Sequence, residues 1–414
     1  MSWVTFLTDA HTGQLLFPLD IPSFSWEATI NDSSLSTTKK RNVGKDEVQS
    51  LTIPWSALPA ISQRQRFEML EPGRKGLALF WKNSEDEENN RLGTPILWGV
   101  ISNRSDDWDS TSFTLDSVMS VLSQRFLAEE EKFKQGYSPT NLIYQGMSYR
   151  GILSEVGYAC TNLKPGGGLP VDWSYRGEKH VRQPGQNADV HTRTYPTWNV
   201  ANQSGKQIFE KICQLDDGPD IQFRPYLDQD ETHVRLRFEA GSDENPDLSQ
   251  DIVQSLTCWN GGGTFENVKV SYTTAVQRVY ATGAGQDALT TTAFVEDLST
   301  LLGSQNVLLR ELAVSDSQCE DDNLLRQEAL AELNSSKYPL MQISGEVHFN
   351  DAAVPQPGSF WPGQIVNLDL QDHPTLPDGT YRMRLMSMRG SNNDACTLTF
   401  DATPVPYYKD HNEA

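Results

Sequence analysis

The sequence is short of the features that mark several large protein classes. No apolar run approaches the roughly 18 residues needed to cross a bilayer, and the mean hydropathy is −0.51, so a membrane-spanning helix is excluded. Residues Met1 to Leu7 lack the basic and long apolar regions of a signal peptide, so synthesis and folding in the cytoplasm are expected. The five cysteines, at 160, 213, 258, 319 and 396, are each more than 40 residues from the next, with no CxxC pair. They are expected to be reduced, mostly buried thiols rather than zinc ligands or disulfides. None of the seven histidines pairs with another at a spacing such as HExxH, so neither metal nor cofactor is expected. There is no GxSxG elbow and no Walker A loop, which removes the usual sequence support for serine hydrolase and P-loop chemistry. Cations are also scarce. With 34 Lys and Arg against 55 Asp and Glu, the net charge is −21, which argues against a protein that grips phosphates tightly.

What is present is apolar material in period two. Hydrophobic residues make up 37% and aromatic residues 9% of 414 residues, enough for several buried cores. Six strands are expected before residue 115: Trp3 to Leu7, Phe24 to Ile30, Leu51 to Trp55, Leu77 to Trp81, Ile96 to Ile101 and Ser112 to Leu115. The acidic stretch Glu85 to Asn90 reads as a loop between two of them. A helix is expected from Asp116 as N-cap, with Val118, Val121, Leu122 and Phe126 on one face. From Gly136 to Asn202 the sequence is rich in Gly, Pro, Tyr and Asn, with one helical pattern around Ile152, Val156 and Ala159. Its part Pro165 to Pro196, with four prolines and three consecutive glycines, predicts irregular loops.

Ser204 to Gln207 fits a capping box opening a short helix. A turn at Asp217 to Asp220 and a hairpin follow, with Ile221 and Phe223 on one strand, Val234, Leu236 and Phe238 on the other, and Asp228 to Glu231 at the tip. Strands are expected at Val268 to Tyr272 and Val276 to Thr282. The last part predicts a helix from Asp321 to Asn334, with Leu325, Ala329 and Leu333 on one face. Four strands follow it, at Ile343 to Phe349, Ile365 to Leu370, Tyr381 to Met388 and Cys396 to Phe400. Helices sum to roughly 15% of the chain, well under the 30–35% average. The expected class is mainly β: two small antiparallel β-barrels joined by mixed α+β structure and a loop-rich segment. The expected domains are 1–130, 131–203, 204–315 and 316–414.

Candidate chemistry is sparse. Gly283 to Ala288 matches GxGxxA, but its surroundings are β rather than βαβ, so a glycine turn is expected. The clusters Asp216, Asp217, Asp220 and Asp228, Asp230, Glu231 do not follow EF-hand spacing and read as solvated turns. Trp173, Tyr175, Tyr195 and Trp198 lie in the irregular segment, where aromatics pack on a neighbouring subunit or domain or stack on sugars. These four are the candidate contact residues.

Trp98-Gly99-Val100-Ile101, the stretch Ile208 to Pro225 containing DGPDIQFRP, the helix Asp321 to Asn334, Phe360-Trp361-Pro362-Gly363-Gln364-Ile365-Val366 and the Tyr381-Arg382-Met383 strand occur in that order. Over about residues 95 to 402 this pattern resembles the minor tail proteins of long-tailed bacteriophages, the tail-tip or baseplate hub family, similar to contractile-phage hubs and type VI secretion spikes. The resemblance implies a non-enzymatic virion protein with two related barrels per subunit, assembled as a homotrimer at the tail tip. Its partners would be distal tail or tail-tube proteins, the tape measure protein and other tail-tip proteins, with DNA passing through unbound. Ending at Ala414 without an appended peptidase, lysozyme-like or fibre domain, the chain is expected to have no cell-wall-degrading role. A hexameric distal tail adaptor and a tail protein that binds or cleaves host glycan remain as alternatives.

Overall fold

The computed structural model describes residues 1–30, 32–36, 50–59, 62–180, 191–215, 218–299, 308–316, 319 and 321–406. The mainly β class expected from the sequence holds: strand accounts for 40% and helix for 19%. Contacts divide the chain into two units. Unit 1 comprises Met1–Glu266, Glu346–Leu370 and Gly379–Leu398; unit 2 comprises Asn267–Gly345, Gln371–Asp378 and Thr399–Ala414.

Unit 1 opens with an antiparallel sheet in the order Leu15–Pro18, Ser2–Asp9, Lys75–Lys82, Thr94–Asp106, Ser110–Asp116 and Leu51–Pro54. No pairing joins its two edge strands among the described residues. Ser2–Asp9 and Lys75–Lys82 pair without a break from Ser2 opposite Lys82 to Asp9 opposite Lys75. The central strand Lys75–Lys82 is buried on both faces, which explains its unbroken apolar run from Gly76 to Trp81.

One of the six expected strands belongs elsewhere. Ser25–Thr29 pairs with the long strand Gly379–Ser391, Trp26 lying opposite Gly390. A Cβ on Gly390 would come 2.7 Å from the Trp26 indole, so the bare backbone makes room for the ring. Trp26 in turn packs 5.1 Å from Trp3, which also contacts Trp81 at 4.7 Å, and an edge contact adds Phe349. The divisions expected at residues 130 and 203 follow the chain, and strand pairing in unit 1 crosses both. Ser25–Thr29 crosses the first, and Val171–Asp172, paired in parallel with Val234–Ala240, crosses the second.

Two helical expectations need correction. Glu85 to Asn90 is not a plain loop, because Ser84–Glu88 forms a short helix closed by an Asn83 and Asp86 capping box, with its acids in the first turn where the dipole favours them. Asp116 ends a strand, and Ser117 caps the helix Val118–Ser123; a separate helix, Glu130–Lys134, follows. Phe126, expected on the helix face, sits between them in a single bridge to Ser204.

The middle of unit 1 is a core roofed by Val118–Ser123, Tyr149–Cys160 and Gly205–Cys213 and floored by the hairpin Ile221–Leu227 and Val234–Ala240. Val234, Leu236, Phe238 and Ala240 point inward while Arg235, Arg237 and Glu239 alternate outward. The expected loop region Pro165 to Pro196 contains Val171–Asp172 and Arg193–Pro196, the latter paired with Asn141–Tyr144; residues 181–190 lie outside the described set. So do Asp216 and Asp217 of the expected turn.

The capping box at Gly205–Cys213 is formed as expected, the Ser204 hydroxyl accepting from the Gln207 N–H at 3.2 Å and the Gln207 side chain from the Ser204 N–H at 3.0 Å. Ser204→Ala is expected to lower stability by about 1 kcal/mol, read as a lower urea midpoint at unchanged slope. An unchanged midpoint would mean that this cap contributes nothing.

In unit 2, Arg278–Thr282 lies between Thr292–Glu296 and Glu311–Ser315. The helix Asp322–Ser336 packs Leu325, Ala329 and Leu333 on Val279, Ala281 and Val295, the face expected from the sequence. Gly283 to Ala288 is the loop of this sheet's hairpin, Gly283 N–H donating to Thr291 O at 2.7 Å. All five cysteines are free; Cys160, Cys319 and Cys396 are buried, and Cys213 and Cys258 are partly exposed.

Candidate functional site

Four of the five segments behind the sequence resemblance lie in unit 1; the fifth, the helix Asp322–Ser336, belongs to unit 2. The turn and strand from Gly218 to Pro225 bring Asp220, Gln222 and Arg224 against the loop and strands of 360–385. Gln222 Nε2 donates to Pro362 O at 2.9 Å, and its Oε1 accepts from Arg224 Nε at 2.8 Å. The Arg224 guanidinium lies 5.7 Å from the Trp361 ring centroid. Burial pushes Arg224 below its ordinary value, though a guanidinium stays charged, so this is a buried cation held by an amide and an aromatic ring. Arg384 pairs with Asp220 and reaches Asp247 at 3.4 Å. Trp361 N–H donates to Gln364 Oε1 at 3.0 Å, and Gly363 N–H to Leu385 O at 2.6 Å. Side chains from segments about 140 residues apart therefore brace one another, and the junction is structural in character.

The four aromatics singled out from the sequence separate sharply. Trp173 is 7% exposed and sits in the core, 5.3 Å from Phe238, 5.9 Å from Phe223 and 6.2 Å from Phe209. With its Nε1 donating to Thr161 Oγ1 at 3.2 Å, it has no face left for a partner or a sugar, and the surface reading of this residue is corrected. Tyr175 is half-buried, donating to Glu239 Oε2 at 3.0 Å under the Arg150 guanidinium; burial, then Glu239, raise its hydroxyl above the usual value. Tyr195 packs edge-on against Tyr144, and burial pushes its hydroxyl upward as well. Trp198 alone of the four is open, at 62% exposure.

A stronger surface feature escaped the sequence reading. Trp108 is 98% exposed at the tip joining Thr94–Asp106 to Ser110–Asp116. Its base is rigid. Trp55 donates from Nε1 to Asp107 O at 2.8 Å and from its backbone N–H to Asp109 O at 3.1 Å. Arg104 forks onto both oxygens of Asp106 at 2.7 and 2.8 Å, with its guanidinium 5.6 Å from both the Trp55 and Phe67 rings. A large apolar ring held out on a braced hairpin is the form of a partner anchor. The signal was present in Asp106-Asp107-Trp108-Asp109, a tryptophan set among turn-forming acids where no core could receive it.

No protein-family model matches the sequence, and no curated protein does. Among solved structures, its neighbours include phage tail proteins. The tail protein from Neisseria meningitidis MC58 aligns over 97% of this chain and 96% of its own, at 11% identity and a TM-score of 0.49. The 43 kDa tail protein of prophage MuSo2 from Shewanella oneidensis aligns over 96% and 98%, at 11% identity and 0.45. A type VI secretion system component from E. coli, itself described as similar to T4 bacteriophage tail proteins, aligns over 96% and 76%, at 12% identity and 0.43. At these values no residue role passes from the neighbours to this chain, and its surfaces are interpreted from their own chemistry. Among the described residues no helix is long and apolar enough to cross a membrane.

Proposed function

We propose that the chain is a structural protein of a phage tail and works as the tail-tip or baseplate hub, forming a ring that caps or extends the tail tube and lets DNA through during host entry. The observation that carries this reading is the junction in unit 1. Three of the segments on which the hub resemblance rests, Ile208 to Pro225, Phe360 to Val366 and the Tyr381-Arg382-Met383 strand, come together there, and Asp220, Gln222, Arg224, Trp361 and Arg384 brace strand against strand. Motif residues spent on mutual support are what a scaffold subunit needs.

Two further features support the reading. Trp108 and Trp198 are large apolar groups exposed on a chain of net charge −21, which suits contact with another tail chain. The same negative charge suits a lumen wall that repels phosphates, so that DNA slides without sticking. In this reading the chain is a homotrimer, meeting distal tail or tail-tube proteins, the tape measure protein and other tail-tip proteins.

Cryo-electron microscopy of purified tails tests it. Three copies arranged about the tube axis at the tip are expected; six copies in a ring would assign the distal adaptor role instead, and absence of the chain from purified virions would overturn the structural reading. Trp108→Ser is expected to leave the chain folded and to reduce its incorporation into tails, measured by quantitative blotting of virions. Normal incorporation would remove Trp108 from the contact.

A further inference from the structure

Three residues far apart in sequence, His180, His191 and Asp243, meet at one place in unit 1. One ring nitrogen from each histidine and a carboxylate oxygen of Asp243 all lie within 4.8 Å of one another. Asp243 Oδ2 is 2.6 Å from His180 Nδ1 and 3.3 Å from His191 Nδ1, and the two imidazole centroids are 4.1 Å apart. The side chains are 11%, 6% and 10% exposed respectively. Two of the nitrogens, His180 Nε2 and His191 Nδ1, are buried and make no hydrogen bond. Buried polar atoms without partners are few in native proteins, and here two of them belong to one pair of imidazoles, His191 Nδ1 lying beside the Asp243 carboxylate that His180 meets through its Nδ1.

The surroundings fix these groups in place. Asp243 Oδ1 accepts the Tyr149 backbone N–H at 3.0 Å, which leaves Oδ2 turned to the imidazoles. Reciprocal backbone bonds between Ser242 and Asn245, 2.8 and 3.1 Å, hold the turn that carries Asp243. The His180 N–H donates to Gly146 O at 3.2 Å, and Met147 bridges Lys179, so His180 is tied to the segment leading into the helix Tyr149–Cys160. His191 lies flat on the Tyr149 ring, 3.9 Å away and 13° from parallel, and the Tyr149 hydroxyl accepts from Arg193 Nη2 at 3.1 Å. Groups oriented by outer contacts of this kind are what a metal site requires.

We propose that His180, His191 and Asp243 form a binding site for a divalent first-row transition metal, with zinc as the reference ion. Two neutral imidazoles and one carboxylate match the ligand preferences of such ions, whereas magnesium and calcium favour all-oxygen shells. Three protein ligands leave a position for water or for a group from another chain. An ion there would join the segments around residues 146, 180, 191 and 243, a staple the sequence concealed because the ligands follow no short spacing. The site is independent of the tail-hub reading and stands or falls separately from it.

The test uses the untagged full chain, stripped with chelator and titrated with Zn²⁺ by calorimetry, then loaded with Co²⁺ for absorption spectroscopy. One ion per chain at this site is expected, with a raised melting temperature. His180→Gln, His191→Gln and Asp243→Asn should each weaken binding at least about tenfold, the size that even outer partners of a metal site carry. Cys319→Ser should leave it unchanged; that variant controls for a second cluster, Asp316, Cys319 and Glu328, in unit 2. If the histidine variants fail to fold, the cobalt spectrum of the unmodified chain still decides: nitrogen and oxygen ligation alone is expected, and a thiolate-to-cobalt band as the only signature would overturn the assignment. So would a chain that binds no zinc, or a triple variant that binds it as well as the parent.

Discussion

Trp173→Ala is expected to destabilise unit 1 by about 3–5 kcal/mol, the range for emptying a buried tryptophan site. The indole is 7% exposed and touches Phe209, Phe223 and Phe238 at once, and Phe238 also meets Tyr175 edge-on, so the loss spreads through a connected aromatic set. Thr161 Oγ1, which accepts from Trp173 Nε1, loses that partner in the variant. Trp198→Ala is the matched comparison: the same residue type in the same loop-rich region, 62% exposed, with an expected change within about 0.5 kcal/mol. Urea unfolding followed by far-ultraviolet circular dichroism measures both. Equal midpoints for the two variants would show that Trp173 does not carry the core.

That contrast indicates how much the sequence disclosed. Trp173 and Trp198 lie in the same Gly- and Pro-rich stretch with no periodicity around either, so local pattern could not separate an anchor of the core from a surface ring. Burial there is decided by Phe209, Phe223 and Phe238, which lie 36 to 65 positions further along the chain. Where a segment carries its own period, the structure follows it: Val234, Leu236 and Phe238 face in with Arg235 and Arg237 out, and Leu325, Ala329 and Leu333 line one helix face. Local capping chemistry was legible at Ser204 and Gln207, and missed by one residue at Ser117, where two adjacent side chains, Asp116 and Ser117, can both cap and the strand's extra residue decides between them. Partner choice between distant strands was not legible. Nothing in Ser25–Thr29 names Gly379–Ser391 as its neighbour, and the fit of Trp26 over Gly390 appears only when both are placed. The same limit hid the histidine and carboxylate cluster, whose members come from two loops and a turn.

Gly157→Ala is the second large effect, and its sign runs against helix propensity. In an exposed helix interior this change stabilises by about 1 kcal/mol. Gly157 lies within Tyr149–Cys160, but its face is occupied: an added Cβ would come 2.2 Å from two carbons of the Trp173 indole and 2.7 Å from a third. The indole cannot retreat freely. Phe209, Phe223 and Phe238 crowd the ring, and Thr161 Oγ1, which holds its Nε1, itself donates to Gly157 O at 2.7 Å. Overpacking of this kind typically costs about 1–3 kcal/mol, so a net loss of stability is expected in place of a gain. A smaller ring should relieve it. In a Trp173→Phe background Gly157→Ala should cost less than in the parent chain, giving a double-mutant coupling of about 1 kcal/mol or more, since directly touching residues are the ones that fail to add. A Gly157→Ala chain with a raised urea midpoint, or strictly additive single and double variants, would mean that the helix and the indole are not in contact as described, and that Trp173 does not set the spacing between the helix and the hairpin floor.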